Sequence, residues 1–319
     1  YYEAGPDAPA RAYGPGNRLE RHGDDELVYD RLGRVIERRS TVDGAQRIWR
    51  YGWSPFGLLA WVETPEDVRV ELVHDSFARR VVKRVLRRGR GGWELERHVH
   101  FVWDAASLLA EVDVTSGTPR VLRSYLYEEN WRGLPLAQRD HDASGAPGPW
   151  IYLIGDQNGT PEELVDGAGQ VVGRLERTTF GAAGATPDSR VTTQFRFPGQ
   201  YCDDETGLHF NRYRYYDPST GRYLSPDPTD IAGGFNQYGY LPNPIGWFDL
   251  MGWTHGMTVE SARGITGITR GDFFNSGYSG LINDQGDCPS DLKSRAKAHS
   301  ERKFDHVLRD LYSKEQVES

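Results

Sequence analysis

Apolar and polar residues alternate through most of the chain up to about Gly252, in short runs broken by turn-forming residues. Val68-Arg69-Val70-Glu71-Leu72-Val73-His74 is the clearest run. Its period of two places every second side chain on one face of a half-buried strand. Tyr29-Asp30-Arg31-Leu32-Gly33-Arg34-Val35 reads as a strand, a turn centred on Gly33 and a second strand. Weaker echoes start at Tyr51-Gly52-Trp53, Phe101-Val102-Trp103-Asp104 and Tyr125-Leu126-Tyr127, each with an aromatic before the turn and aliphatics after it. A hairpin cannot bury its apolar face alone, so a row of them must stack into a continuous sheet. The pattern therefore predicts an all-β, repetitive fold.

Composition supports this reading. Only 37% of the 319 residues are apolar, while 37 glycines, 18 prolines and 12% aromatics suit short strands with tight turns. A net charge of −8 argues against a nucleic-acid surface over most of the chain. The basic run Arg79 to Arg90 (RRVVKRVLRRGR) is expected to be a solvated strand pair among acidic strands. Cys202 and Cys288 are too few for a disulfide framework. No apolar run approaches the roughly 20 residues that cross a bilayer. Tyr1-Tyr2-Glu3 begins within a strand-like pattern rather than a signal peptide, as expected of the C-terminal piece of a longer protein.

Downstream the motifs become specific. Tyr152-Leu153-Ile154-Gly155-Asp156-Gln157-Asn158-Gly159-Thr160-Pro161 is followed by Phe197-Pro198-Gly199-Gln200-Tyr201 and Glu205-Thr206-Gly207-Leu208. Asn211-Arg212-Tyr213-Arg214-Tyr215-Tyr216-Asp217-Pro218 and Gly221-Arg222-Tyr223-Leu224-Ser225-Pro226-Asp227-Pro228 complete the block. Together with the hairpin repeats, this resembles the YD repeats and core-terminal block of the Rhs polymorphic toxins, over about Tyr29 to Gly252. The resemblance implies a β-sheet spiral shell, or cocoon, that encloses a C-terminal toxin. It divides the chain into shell repeats (1–196), a core-terminal self-cleavage block (197–253) and the start of a mainly α toxin domain (254–319).

Two aspartates mark the seam. Cutting a peptide bond needs one group to polarise the carbonyl and another to activate water, and two carboxyls can share these tasks when burial and repulsion keep one protonated. By themselves, Asp227 and Asp249 in Pro-rich turns read as turn caps. The resemblance adds more, because Rhs cores end in paired DPxG-type motifs whose aspartates act in aspartyl-type self-cleavage. Here the motifs read Asp227-Pro228-Thr229-Asp230 and Asp249-Leu250-Met251-Gly252-Trp253, with Asp230 replacing Gly, Leu250 replacing Pro and Trp253 replacing Leu. The implied cut lies between Trp253 and Thr254. Arg222, the basic residue close to the first motif, is the expected helper.

After the seam, glycines punctuate the chain, and an amphipathic helix is expected from about Ser290 onward. His299-Ser300-Glu301 within it reads from spacing alone as ordinary helix surface. It is also similar to the HxE element of zinc-dependent deaminase toxins, where the His binds zinc and the Glu shuttles protons. That would make His299 a zinc ligand and Glu301 a proton shuttle in a complete toxin domain, whereas the shell needs no cofactor. The Pro-Cys-x-x-Cys that completes such a site is missing after His299. A metal-dependent nuclease using His299 and His306 lacks clustered carboxylates. The implied partners are upstream shell segments, a type VI secretion spike or adaptor, an immunity protein and a nucleic-acid target for the toxin. The implied route is synthesis in the bacterial cytoplasm, then secretion or delivery into a target cell. The competing reading is a non-enzymatic YD-repeat surface protein that adheres to carbohydrate or to neighbouring cells. The change of composition at the seam favours toxin delivery.

Overall fold

The computed structural model describes residues 9–127, 134–229, 236–241, 247–249, 251–252 and 257–258. Sixteen strands, β1 (Arg11–Gly14) to β16 (Ala183–Ala185), form one antiparallel sheet in strict chain order. A three-residue 3-10 turn, Pro15–Asn17, is its one helical interruption among the described residues. The all-β expectation holds. The helical expectation for the tail lies outside the described residues, apart from Met257–Thr258, which are extended.

Each hairpin is built as the pattern requires. Between β3 (Asp25–Tyr29) and β4 (Val35–Val42), Asp30 Oδ1 accepts the backbone N–H groups of Leu32 and Arg34, both at 2.9 Å. Asp30 Oδ2 pairs with the Arg34 guanidinium, and Gly33 takes φ 78°, which a residue with a Cβ adopts only with strain. Asp75 and Arg79 repeat the arrangement one hairpin pair later. Burial would raise the Asp30 carboxyl, but the Arg34 hydrogen bonds and charge more than reverse this and hold it below the usual carboxylate value.

The sheet is curled. The Arg11 guanidinium on β1 lies over the ring of Phe180, 5.4 Å from its centroid, in the turn between β15 (Val171–Arg177) and β16. In a flat sheet with about 4.8 Å between strands, these ends would stand roughly 70 Å apart. Inside the curl sits a second antiparallel sheet: β17 (Tyr201–Cys202), β18 (His209–Asn211), β19 (Arg214–Asp217) and β20 (Arg222–Tyr223).

Period two gives this inner sheet two distinct faces. Tyr201, Phe210 and Tyr215 face the shell and join Leu59, Phe101 and Tyr125 in the main core. Tyr216 and Tyr223 face the other way, against Phe197 and Tyr240. Polar groups pin the shell-facing side. Glu111 accepts the hydroxyls of Tyr125 and Tyr201, and Asp203 pairs with Arg80 and Lys83 of β8 (Arg80–Gly89). The basic run forms one strand instead of the expected strand pair, and it is not uniformly solvated. Arg87 and Arg88 pair with Glu96 and Asp67 at the surface, whereas Arg80 and Lys83 are buried. A short ladder, β21 (Trp247–Phe248) with β22 (Met257–Thr258), completes the described elements.

Candidate functional site

The inner sheet's second face carries the two seam aspartates. Asn211 and Arg214 flank the two-residue turn between β18 and β19 and pair across it, so they share a face. Tyr223 of β20 lies opposite Tyr216 and so joins them. Arg214 Nη2 is 3.0 Å from Asp227 Oδ2 and 3.4 Å from Asp249 Oδ2. The two carboxylates, distant in sequence, thus meet at a single guanidinium nitrogen, and all three side chains are buried. Buried carboxylates of this kind need a cation and hydrogen bonds to replace lost hydration.

The other oxygen of each aspartate does local work. Asp227 Oδ1 accepts the N–H and hydroxyl of Thr229 at 2.8 and 2.5 Å, and Asp249 Oδ1 accepts the Met251 N–H at 3.3 Å. Both are Asx-type turn caps built like the hairpin turn at Asp30. One oxygen shapes the turn while the second points into the site, so capping and chemistry are compatible in the same residue. The Tyr223 hydroxyl donates to Asp249 Oδ2 at 3.0 Å, and Asn211 Nδ2 donates to the Tyr223 hydroxyl at 2.7 Å. Burial, reinforced by the Asp249 charge, pushes the Tyr223 phenol well above its ordinary value and keeps it a neutral donor. The Arg214 guanidinium also lies over the Tyr223 ring, 3.6 Å from the centroid.

The backbone that leads to the expected cut is anchored at three carbonyls. Asn211 Nδ2 donates to Asp249 O at 2.9 Å, Tyr213 N to Met251 O at 3.3 Å and Arg214 Nε to Gly252 O. Gly252 has φ 68°, and a Cβ there would lie 2.4 Å from the Asn211 carbonyl oxygen. Only glycine fits this approach without displacing β18. Trp253 and Thr254 follow directly and lie outside the described residues, as do Asp230, Leu250, His299, Glu301 and Cys288.

Arg222 is placed elsewhere. Its guanidinium binds the Asn17 carbonyl and Asn236 Oδ1 and stacks near Tyr13 and Tyr238, so it faces the shell. The cation between the aspartates is Arg214. Strand parity separates them: Arg222 pairs with Asp217 on the shell-facing side, and Arg214 pairs with Asn211 on the other. Arg214, Tyr223, Asn211 and Gly252 are the site residues that sequence reasoning passed over. A two-residue turn at Arg212-Tyr213 would have marked Asn211 and Arg214 as neighbours on one face. Among the described residues no group of three or more His, Cys, Asp or Glu side chains could hold a metal ion. Cys202 is buried, and burial raises its thiol to about 11.

A long antiparallel meander curled around its own terminal block defines a YD-repeat shell segment. The pattern of the Teneurin YD-shell family matches residues 10–243, and the chain belongs to that family, among the Rhs/YD-repeat polymorphic toxins. It is 33% identical over 237 residues to the probable deoxyribonuclease RhsA of Dickeya dadantii, covering 74% of this chain and 16% of that protein. Identity is 32% over 267 residues to the double-stranded DNA deaminase toxin A of Burkholderia cenocepacia, covering 76% of this chain and 18% of the relative. Toxin protein Tse5 of Pseudomonas aeruginosa is 32% identical over 260 residues, with 72% and 18% covered. The chain thus spans less than a fifth of these relatives' lengths. The crystal structure of TcdB2-TccC3-TEV shares the fold, with a TM-score of 0.51 at 19% identity over 72% of this chain and 13% of that one. No helix among the described residues is long and apolar enough to cross a membrane.

Proposed function

We propose that this chain is the terminal shell segment of a toxin-delivery protein and that it severs the chain between Trp253 and Thr254. The observation that carries this reading is the meeting of Asp227 and Asp249 at Arg214, whose Nε also holds the Gly252 carbonyl one residue before that bond. One carboxylate takes a proton from water as its oxygen attacks the Trp253 carbonyl carbon. The other, in its protonated form, delivers a proton to the Thr254 nitrogen as the C–N bond breaks, so water is added across the bond. Arg214 compensates the charge of the pair, and the three anchored carbonyls align the bond with it. Arg222 has no part in this chemistry.

The segment after the cut is the effector, sequestered by the shell and delivered to a target cell, with an immunity protein and a secretion spike or adaptor as partners. Relatives named as a deoxyribonuclease and a DNA deaminase toxin support a nucleic-acid target. In a zinc deaminase His299 would bind the metal and Glu301 would shuttle protons, with thiolate ligands completing the site.

Intact-mass measurement tests the cleavage. Wild type should give two pieces divided between Trp253 and Thr254, while Asp227→Asn and Asp249→Asn each give one. A wild type that stays whole after folding rules the reading out.

A further inference from the structure

The face of the inner sheet opposite the aspartates is bolted to the shell by an unusually dry ion pair. Arg80 on β8 and Asp203, just after β17, form an ion pair with side chains 1% and 2% exposed. Lys83 Nζ holds the other Asp203 oxygen at 3.1 Å and reaches Glu205 at 2.8 Å. The Arg80 guanidinium lies over the rings of Phe101, Tyr201 and Phe210, 4.4, 5.1 and 5.0 Å from their centroids. Its Nη1 is 3.4 Å from the Tyr215 hydroxyl. Of these groups, Phe101 belongs to the shell; Tyr201, Phe210 and Tyr215 belong to the inner sheet.

A guanidinium enclosed this way has no access to hydration, so a partly docked sheet would leave it without water or carboxylate. Docking at this point is therefore close to all-or-none. The other charged contact on this side, Arg38 to Asp217, is longer at 3.7 Å and has one side chain 21% exposed, so water can replace it. Two of the residues Arg80 touches are also immediate chain neighbours of site residues. Phe210 precedes Asn211, and Tyr215 follows Arg214. In a strand, consecutive side chains point to opposite faces, so seating one fixes the other.

We propose that Arg80 is a positioning residue for self-cleavage: its pairing with Asp203 seats the inner sheet, and only the seated sheet presents Asn211 and Arg214 to Asp227 and Asp249. This rests on the cleavage reading above and adds a condition to it. The bond is cut only after the shell wall has closed on the terminal block, so a chain with an unfinished shell stays whole.

The test uses the full chain as wild type, Arg80→Met and Arg80→Lys, with self-cleavage timed by intact mass and backbone hydrogen exchange followed strand by strand. Arg80→Met should slow cutting about tenfold, the size of one strong residue coupling, and speed exchange in β18 and β19 while the shell strands keep their protection. Arg80→Lys, which keeps the charge, should recover much of both. Cutting at the wild-type rate by Arg80→Met, or no recovery in Arg80→Lys, overturns the proposal. So does loss of protection across the whole sheet or failure to fold, which would make Arg80 a general stability residue. A wild type that never cuts overturns the cleavage reading as well, whereas a cutting wild type with an indifferent Arg80→Met overturns this inference alone.

Discussion

Arg214 Nη2 stands 3.0 Å from Asp227 Oδ2, with neither side chain exposed to solvent. Removing the cation leaves the buried aspartate pair without its counter-charge, a change that costs about 3–5 kcal/mol in comparable sites. Arg214→Met should lower the melting temperature and abolish cutting together. Arg222→Met, on the opposite face, should cut at the wild-type rate. Thermal melts and a denaturing gel of both variants check this, and the reverse ranking would return the helper role to Arg222.

Tyr223→Phe keeps the ring under the Arg214 guanidinium and removes only the hydroxyl that donates to Asp249 at 3.0 Å. A hydrogen bond to a charged group contributes about 1.5–3 kcal/mol. Cutting should slow by one to two orders of magnitude, about what that energy converts to. Its pH profile should move as well, because the donor contacts one carboxyl of the pair that exchanges protons during the cut. An unchanged profile would make Tyr223 packing alone.

Gly252→Ala and Gly117→Ala separate backbone strain from misplacement. Both glycines have positive φ, but Gly117 has open space around its missing Cβ, while Gly252 faces the Asn211 carbonyl oxygen at 2.4 Å. Each substitution carries a left-handed backbone penalty of roughly 1–2 kcal/mol. Only Gly252→Ala should also slow cutting, by up to about 100-fold, because a displacement near 1 Å suffices for that. Time courses of cleavage for the two variants decide.

Acid should weaken the fold well above the carboxylate range. Burial, with the Arg80 charge adding to it, lowers His74 to about 4; burial, with Arg196 adding, lowers His209 to about 3. Both are neutral in the fold and titrate near 6.5 when unfolded. Below 6.5 the unfolded chain binds protons that the folded chain does not, so stability falls as pH falls, by up to about 1.4 kcal/mol per pH unit for each. His74 Nε2 is buried without a hydrogen-bond partner among the described residues, and its ring lies beside Phe210 and Tyr215. His74→Phe should therefore flatten the slope of unfolding free energy between about pH 6.5 and pH 4. An unaltered slope in denaturant titrations would count against it.

How much the sequence disclosed follows from the range of each interaction. Hairpins such as Tyr29 to Val35 were legible because alternation, the capping Asp30 and the positive-φ Gly33 all act within one turn of chain. Asp227 and Asp249 were legible as a pair through their motifs, although nothing local shows that they converge. Arg80 and Lys83 were expected in solvent because their run is basic; the carboxylates that bury them, Asp203 and Glu205, lie more than a hundred residues away. Whether Arg222 or Arg214 reaches the aspartates is decided by strand parity. Closeness along the chain favours Arg222, but in a strand an odd step changes the face, and only the register of the inner sheet reveals which arginine shares a side with Asn211.

The ladder of Trp247 with Thr258 and Phe248 with Met257 encloses the Trp253–Thr254 bond within one loop. Hydrolysis would turn that loop into two chain ends still zipped together a few residues away. Cutting and letting go are then separate events. The first is set by chemistry. The second depends on how readily a short ladder unzips under heat or mechanical pull, so the C-terminal piece would be covalently free long before it departs.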